Sequence, residues 1–145
     1  MQDLSQASRR MLSPEATDTC RKQLYVLLKS ISGIESVLLC STDGFELTSV
    51  HKDTSLNGGK LAAVSSSILA LVEAFLGEIK LTGCQSITLE AANGKALISA
   101  IPAPHHPMLL VVITNNEALL GRVLHGIRLI VQRMIEIDQH YGASV

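Results

Sequence analysis

The stretch NGGKLAAVSSSILALVEAFLGEIK, residues 57–80, decides the fold, because it predicts one long helix with two unlike faces. At about 100° per residue, the larger apolar side chains fall on one stripe: Leu61, Val64, Ile68, Leu71, Val72, Phe75 and Ile79. We expect this stripe to cover a sheet or a core. A second face, here called the small-residue face, consists of Gly59, Ala63, Ser66, Ala70, Glu73 and Gly77. We expect it to contact another polypeptide, because exposed helix faces usually carry lysine, glutamate and glutamine.

The segments before this helix predict a first helix and a hairpin. Ser13 followed by Pro14 is typical of a helix start, and Gly33 ends the run of apolar residues at helical spacing. Residues 34–41 and 45–51 are aliphatic and β-branched runs separated by an Asp-Gly pair. That pair supplies the positive φ of a tight turn, so the two runs predict an antiparallel hairpin.

Three strands and a last helix are predicted after the long helix. Residues 85–92 alternate apolar and polar side chains, and an Asn-Gly turn leads into residues 95–101. Residues 108–113 are apolar at every position, which favours a central strand covered on both faces. Thr114 and Glu117 match a capping box, and we expect the last helix to begin there.

The element order is therefore α-β-β-α-β-β-β-α, and it predicts the α+β class. We expect a five-stranded antiparallel sheet with helices on both faces. Residues 13–137 are expected to form a single domain, because one core suits a chain of 145 residues. Residues 1–12 are polar and have no period, so they predict a flexible N-terminal tail, and residues 138–145 a C-terminal tail.

Composition argues against several classes of protein. The formal net charge is -1 with both signs interspersed, and aromatic residues make up 3% of the chain. Neither the basic footprint nor the stacking surface of a nucleic-acid binder is present. The N-terminus has no apolar signal segment and we expect no direct membrane insertion, so we predict a cytoplasmic protein. The three cysteines, Cys20, Cys40 and Cys84, are widely spaced and predict free thiols rather than a disulfide.

The strand predicted at residues 85–92 has one obvious neighbour, so its other edge is expected to be open. It contains no proline and one charge, and therefore lacks the usual protection against pairing with another chain. Two-fold symmetry would pair this strand with its copy and set the two long helices side by side. We therefore predict a homodimer through helix 58–80 and strand 85–92, with contact or partner residues Gly59, Lys60, Ala63, Ser66, Ser67, Ala70, Glu73, Gly77, Ile87, Thr88, Leu89 and Glu90. The alternative is an Ala/Ser-rich helix chosen for propensity, or one packed under its own loop.

Several strings in this order resemble the Roadblock (dynein light chain) family. They are GIESVLL at 33–39, TDGF at 42–45 and GKLAA at 59–63, of which the pattern G-I-x-x-x-x-L-x-x-x-D-G is the most specific. LEA at 89–91, NGK at 93–95, MLLVV at 108–112 and an arginine-bearing last helix follow in the family's order. The resemblance spans about residues 15–137. The N-terminal dozen residues, residues 138–145 and the Pro-His-His-Pro loop lie outside the pattern.

The resemblance implies a Roadblock-, longin- or profilin-like architecture and a homodimer or a heterodimer of like domains. Bacterial members of the family regulate Ras-like small GTPases. It therefore implies that the joined sheet and the paired long helices form a platform for such a GTPase or for a larger scaffold.

Motifs for chemistry are incomplete. Gly59-Lys60 is similar to the end of a phosphate-binding loop, but the first glycine is absent and Leu61 replaces the Ser/Thr that would bind magnesium. His105 and His106 lack a third ligand at the spacing of a zinc site, so we expect exposed loop histidines. Serines 65–67 lie within a helix, and the carboxylates are dispersed. We predict no catalytic residue, metal or cofactor.

The arginines of the last helix, Arg122, Arg128 and Arg133, could in principle neutralise charge on a transferred phosphoryl group. The helix dipole also favours cations toward a C-terminus, and we assign no catalytic arginine. With no complete catalytic motif in the chain, the resemblance to the Roadblock family implies a non-enzymatic dimeric regulator or scaffold for a Ras-like GTPase. Two alternatives stay open: an adaptor that binds no GTPase, and a small-molecule sensor.

Overall fold

Local sequence signals set the helix and strand boundaries. The structure, a computed structural model, describes residues 12–142. Ser13 Oγ accepts a hydrogen bond from the Ala16 backbone N–H at 3.2 Å and caps the first helix, whose first residue is Pro14. The elements are α1 (Pro14–Ser30), β1 (Ile34–Ser41), β2 (Glu46–His51), α2 (Gly58–Glu78), β3 (Ser86–Ala91), β4 (Gly94–Ile101), β5 (Met108–Asn115) and α3 (Leu120–Gly142). The predicted element order and the α+β class are confirmed.

The five strands form one antiparallel sheet in the order β2-β1-β5-β4-β3. The apolar strand β5 lies at its centre, as its continuous run of apolar residues predicts. β2 and β3 form the two edges. β3 pairs with β4 along its inner side, and no strand of the described residues pairs with its outer side.

Alternate residues of the strands contact different helices. Val37 and Leu39 of β1 lie in the larger core with α1 and α3, whereas Leu38 and Cys40 lie in a smaller core with α2. The period of two along a strand makes this division necessary, because successive side chains point to opposite faces. Among residues 12–142, α1 and α3 therefore lie on one face of the sheet and α2 on the other, so the predicted placement of helices on both faces is confirmed.

The residues by which α2 contacts the sheet differ from the predicted stripe. Ala62 and Ser65 are buried against the sheet, whereas Leu61, Ile68 and Val72 are half-buried. Val64, Leu71, Phe75 and Ile79 were predicted to be covered, and they are exposed. The prediction was wrong for these four residues because short side chains let the helix backbone approach the sheet closely, which turns part of the larger stripe outward.

Both ends of the domain extend beyond the predicted boundaries. The helix α3 continues to Gly142, and Asp138 within it is buried, so residues 138–142 are part of the domain rather than a tail. At the other end Leu12 is buried in the larger core, while residues 1–11 of the predicted tail lie outside the described residues. The predicted domain limits of 13 and 137 are therefore too narrow.

The predicted capping box does not form. Thr114 remains in β5 with its side chain buried, and α3 begins only at Leu120. Asn115 instead accepts a hydrogen bond from the Glu117 backbone N–H through its side-chain oxygen at 2.9 Å. An Asx turn at the end of the strand thus replaces the expected helix start.

Candidate interaction surface

The helix α2 begins at a fixed position because its first turn is capped. Asn57 Oδ1 accepts a hydrogen bond from the Lys60 backbone N–H at 3.0 Å, which satisfies one of the free donors of the helix start. A Cβ atom at Gly58 would meet the carboxylate end of the flexible Glu46 side chain, so β2 lies close to the helix at this point. The cap and this close contact hold the helix start against β2.

Large apolar side chains cover the exposed side of α2. Leu71 is 72% exposed, Phe75 63% and Val64 49%, and the run continues through Ile79 and Leu81 beyond the helix end. We call these five residues the α2 apolar face. At 25 cal/mol per Å², covering a side chain of this size stabilises a protein by roughly 1.5–3 kcal/mol. Leaving five of them in water is unfavourable, so the α2 apolar face is a candidate contact surface.

The small-residue face of α2 is also accessible. Gly59, Ala63, Ala70, Glu73 and Gly77 are exposed, and a Cβ atom placed at Gly77 would have no neighbour within 4 Å. Ser66 is the exception, because it is half-buried and its hydroxyl donates to the Thr42 carbonyl at 2.7 Å. This serine therefore holds the β1–β2 turn, a role within the chain that its position on the helix did not predict.

Two further predicted contact residues on α2 are polar. Lys60 is exposed beside the helix start, and Ser67 is exposed while its hydroxyl donates to the Ala63 carbonyl at 3.1 Å. Whether Gly59, Lys60, Ala63, Ser66, Ser67, Ala70, Glu73 and Gly77 contact a second chain stays a prediction.

The outer strand β3 presents different residues on its two faces. Ile87 is half-buried and packs in the smaller core on the α2 side, and Leu89, 43% exposed, lies on that same side. Thr88 and Glu90 point to the other side, where Glu90 lies 3.7 Å from the Lys95 ammonium. The structure thus places the predicted strand residues at an open sheet edge, and places Ile87 and Leu89 on the same side of the sheet as α2.

The sheet beside α2 also has an apolar floor that the helix does not cover. A shallow cavity of about 290 Å³ opens near the β3–β4 turn, and Leu89, Ala96 and Ile113 contribute apolar side chains to it. Together with the α2 apolar face, this floor makes one side of the molecule apolar from the helix to the sheet edge. The sequence did not predict that the α2 apolar face is exposed, because periodicity alone does not say which apolar side of a helix faces its own sheet.

Groups that could support catalysis are inaccessible or separated. Burial raises the pKa of the Cys20 thiol to about 12, and the Asp138 carboxylate raises it further. Burial and the nearby Glu46 carboxylate likewise raise the pKa of the Cys40 thiol to about 12, so both thiols stay protonated near neutral pH. Within residues 12–142, no group of three or more His, Cys, Asp or Glu side chains could hold a metal ion.

One histidine is joined to both strands of the first hairpin. His51 Nδ1 lies 3.0 Å from Ser36 Oγ, and His51 Nε2 lies 3.0 Å from Ser49 Oγ, which in turn donates to Glu46 at 2.6 Å. Ser36 is 1% exposed, so no substrate could reach its hydroxyl. This chain of hydrogen bonds links β1 to β2 and is structural.

The arginines of α3 lie on the opposite side of the sheet from α2. Arg122, Arg128 and Arg133 are exposed on a helix that packs in the larger core, whereas α2 packs in the smaller one. A partner bound to the α2 apolar face could therefore not receive these side chains from the same chain.

The architecture has clear counterparts among solved structures. MglB of Myxococcus xanthus superposes with a TM-score of 0.79 at 18% sequence identity, over 90% of this chain and 95% of that one. A structure described as MglB with tetrameric arrangement gives 0.81 at 16% identity, over 90% and 96%. A Roadblock/LC7 domain from Streptomyces avermitilis gives 0.70 at 16% identity, over 78% and 92%.

This chain has the Roadblock/LC7 fold. The fold that the sequence resemblance implies is therefore confirmed. No protein-family model matches the sequence, and comparison with curated proteins finds no match. Within the Roadblock/LC7 fold of this chain, residues 12–142 leave the α2 apolar face and the outer edge of β3 uncovered.

Proposed function

We propose that this protein is a non-enzymatic, homodimeric regulator of a Ras-like small GTPase in the cytoplasm, and a member of the Roadblock family. The observation that carries the proposal is the α2 apolar face lying beside the open edge of β3. One two-fold operation that pairs β3 with its copy would also bring the two α2 helices together, and would cover both surfaces at once.

A second copy fits this surface better than a membrane does. By length and composition alone, α2 could span a bilayer, and only 11% of its most apolar window is buried. The helix is nevertheless attached to the sheet through Ala62 and Ser65, and its other side carries Lys60 and Glu73. Insertion would pull these groups into hydrocarbon and break the smaller core, whereas dimerisation keeps both intact.

The sequence strings shared with the Roadblock family supply the class of partner. Paired α2 helices would form a platform whose charged residues, Lys60 and Glu73, border a stripe of alanine and glycine. The platform has no nucleophile or metal site, so we expect it to act by positioning residues of the GTPase itself or by fixing where the GTPase is held. The MglB structure in a tetrameric arrangement supports self-association of this fold.

The test of the GTPase proposal is nucleotide-dependent binding. We would measure the affinity of the purified dimer for a Ras-like GTPase from the same genome, loaded with GDP or with a non-hydrolysable GTP analogue. We expect tighter binding to one form, and the charge reversals Lys60→Glu and Glu73→Lys should weaken it. Gln139→Glu, an exposed change on α3, is the matched control. Equal affinity for both forms would instead support the adaptor alternative, and no binding would contradict the regulator.

A further inference from the structure

A groove runs along α3 on the side of the sheet opposite α2. It has a volume of about 580 Å³, and Leu124, Val131 and Pro102 form apolar parts of its wall. Ser86 and Ser99 lie on the strand side, Cys84 stands at one end, and Arg128 projects from α3 beside it. The groove is therefore apolar along its walls, with hydroxyl groups below and one cation at the rim.

The groove exists because two helices do not cover the whole sheet. Among residues 12–142, α1 lies over β1 and β2 and α3 contacts β4, so these helices leave the outer strand β3 at the open margin of this face. The face of β3 that is left uncovered carries Ser86, Thr88 and Glu90, which are exposed. A short segment lying parallel to α3 would fill the missing position in this helical layer.

The charge beside the groove is unbalanced. α3 carries Arg122, Arg128 and Arg133, and among residues 12–142 none of the three has an ion-pair partner. Its acidic residues are the exposed Glu136 and Asp138, which is buried and paired with His106. An arginine at the rim of an apolar groove favours a ligand that carries a carboxylate, because its guanidinium binds that group with two parallel hydrogen bonds.

We propose that this groove binds a short amphipathic segment of a partner protein, with an acidic side chain paired to Arg128. From Leu124 to Gln132 the groove follows nine residues of α3, and the eight rises between them cover about 12 Å or two helical turns. A helical segment of that length places apolar residues at positions i, i+3 and i+4 against Leu124 and Val131. Since the groove and the α2 apolar face lie on opposite sides of the sheet, this partner and the GTPase could be held simultaneously.

Cys84 provides a reporter that the chain already contains. It is half-exposed at the end of the groove, whereas Cys20 and Cys40 are buried thiols whose pKa values are raised to about 12. A thiol reagent near neutral pH should therefore modify Cys84 first. A ligand in the groove should slow that reaction, and the slowing measures occupancy at this place rather than anywhere else on the surface.

The experiment uses synthetic helical peptides of about four turns with the same leucine spacing. One set carries a glutamate scanned along the polar face, and the matched set carries lysine instead. With the full-length protein, we expect the glutamate peptides to slow Cys84 modification and the lysine peptides to leave it unchanged. Arg128→Glu should weaken the binding of the glutamate peptides by about tenfold or more and should favour the binding of the lysine peptides. Arg133→Glu is the control, because Arg133 does not line the groove.

Three outcomes would overturn the proposal. The first is that no glutamate peptide protects Cys84 at millimolar concentration. The second is equal protection by both peptide sets, or an equal effect of Arg128→Glu and Arg133→Glu. The third is protection by vesicles of anionic lipid but not by peptide, which would assign the arginines to a membrane surface. None of these depends on GTPase binding, so the groove and the regulator proposal can fail separately.

Discussion

The carboxylate of Asp138 lies 2.9 Å from Nδ1 of His106, which joins α3 to the loop between β4 and β5. The other oxygen of Asp138 accepts the backbone N–H of His105 at 2.8 Å. The Asp138 side chain is completely buried, so both hydrogen bonds are shielded from water. The Pro-rich loop is thereby fixed to the last helix. His106 was expected to be exposed and is instead largely covered, while His105 is exposed as predicted.

Replacing Asp138 by alanine should destabilise the domain substantially. The change removes two hydrogen bonds to a charged group and leaves the His105 N–H without its partner, which costs about 2–4 kcal/mol. Urea denaturation of the variant would measure this loss in the free energy of unfolding. Glu136→Ala, an exposed change two residues earlier on the same helix, should cost less than about 0.5 kcal/mol. Similar losses for the two variants would show that Asp138 does not anchor the loop.

Charged substitutions on the α2 apolar face should break the dimer. Leu71→Asp and Phe75→Asp would bury a carboxylate among apolar side chains, and each should weaken self-association by about thirtyfold or more. Light scattering after gel filtration would report the mass. Ala70→Arg should act in the same way on the small-residue face.

The matched control for these variants is Leu129→Asp. Leu129 on α3 is 55% exposed, close to the 63% of Phe75, but it lies on the other side of the sheet. Its replacement should leave the mass unchanged. A wild-type protein that is monomeric at micromolar concentration, or a Leu129→Asp variant that alone dissociates, would refute the proposed interface.

The backbone is strained at the end of α2, and a substitution to glycine should relieve the strain. Lys80 has φ +62°, and the Leu81 and Lys80 N–H groups return to the carbonyls of Leu76 and Gly77 at 2.8 and 3.2 Å. This pattern is a Schellman motif, which favours glycine at the left-handed position. Lys80→Gly should therefore stabilise the protein by about 0.5–1 kcal/mol, measured by thermal or urea denaturation. Lys80→Ala removes the same charge and keeps the strain, so a gain from alanine as large as that from glycine would contradict this explanation.

Alkaline pH should destabilise the fold through its two buried thiols. The pKa of Cys20 and of Cys40 is near the ordinary thiol value of 9.0 in the unfolded chain, but burial raises each pKa to about 12 in the folded protein. Both states hold their protons below pH 9, so stability is unaffected there. Between about pH 9 and 12, only the unfolded state releases them, and each thiol removes up to about 1.4 kcal/mol of stability per pH unit.

Comparing variants isolates the contribution of the thiols from those of lysine and tyrosine. Unfolding free energies at about pH 8 and pH 10 should differ less for Cys20→Ala and Cys40→Ala than for the wild type. Cys84 is not a buried thiol, so the variant Cys84→Ala keeps both buried thiols and should behave like the wild type. An unchanged pH dependence in the first two variants would show that the buried thiols ionise as easily in the folded state.

The strands of the sheet could be predicted from the sequence because the signals for them are local. The Asp-Gly and Asn-Gly turns predict the two hairpins, and the uninterrupted apolar run at 108–113 predicts a strand covered on both sides. The lack of proline and the presence of only one charge, Glu90, predict that β3 is an edge open to pairing. Each of these inferences rests on a few neighbouring residues, whose conformational preferences the tertiary structure does not override.

The parts that the sequence did not predict depend on contacts between distant segments. Val64, Leu71 and Phe75 share a helical stripe with Ile68, but the direction of α2 on the sheet is set by the close approach of Ala62 and Ser65. The extent of α3 depends on the partner of Asp138, which is 32 residues away in the chain. The groove beside Arg128 arises from the uncovered width of the sheet and has no motif. Spacing within one segment contains no information on these three arrangements.

The central position of β5 has a consequence for biosynthesis. The first and second hairpins are complete by residues 51 and 101, but they share no strand until β5 pairs with β1 on one side and β4 on the other. A nascent polypeptide on the ribosome therefore holds two separate ribbons, each only marginally stable alone. The sheet closes when residues 108–115 have left the exit tunnel. Premature termination before Met108 consequently yields fragments with four unpaired edges, which are targets for chaperones and proteases rather than partly functional domains.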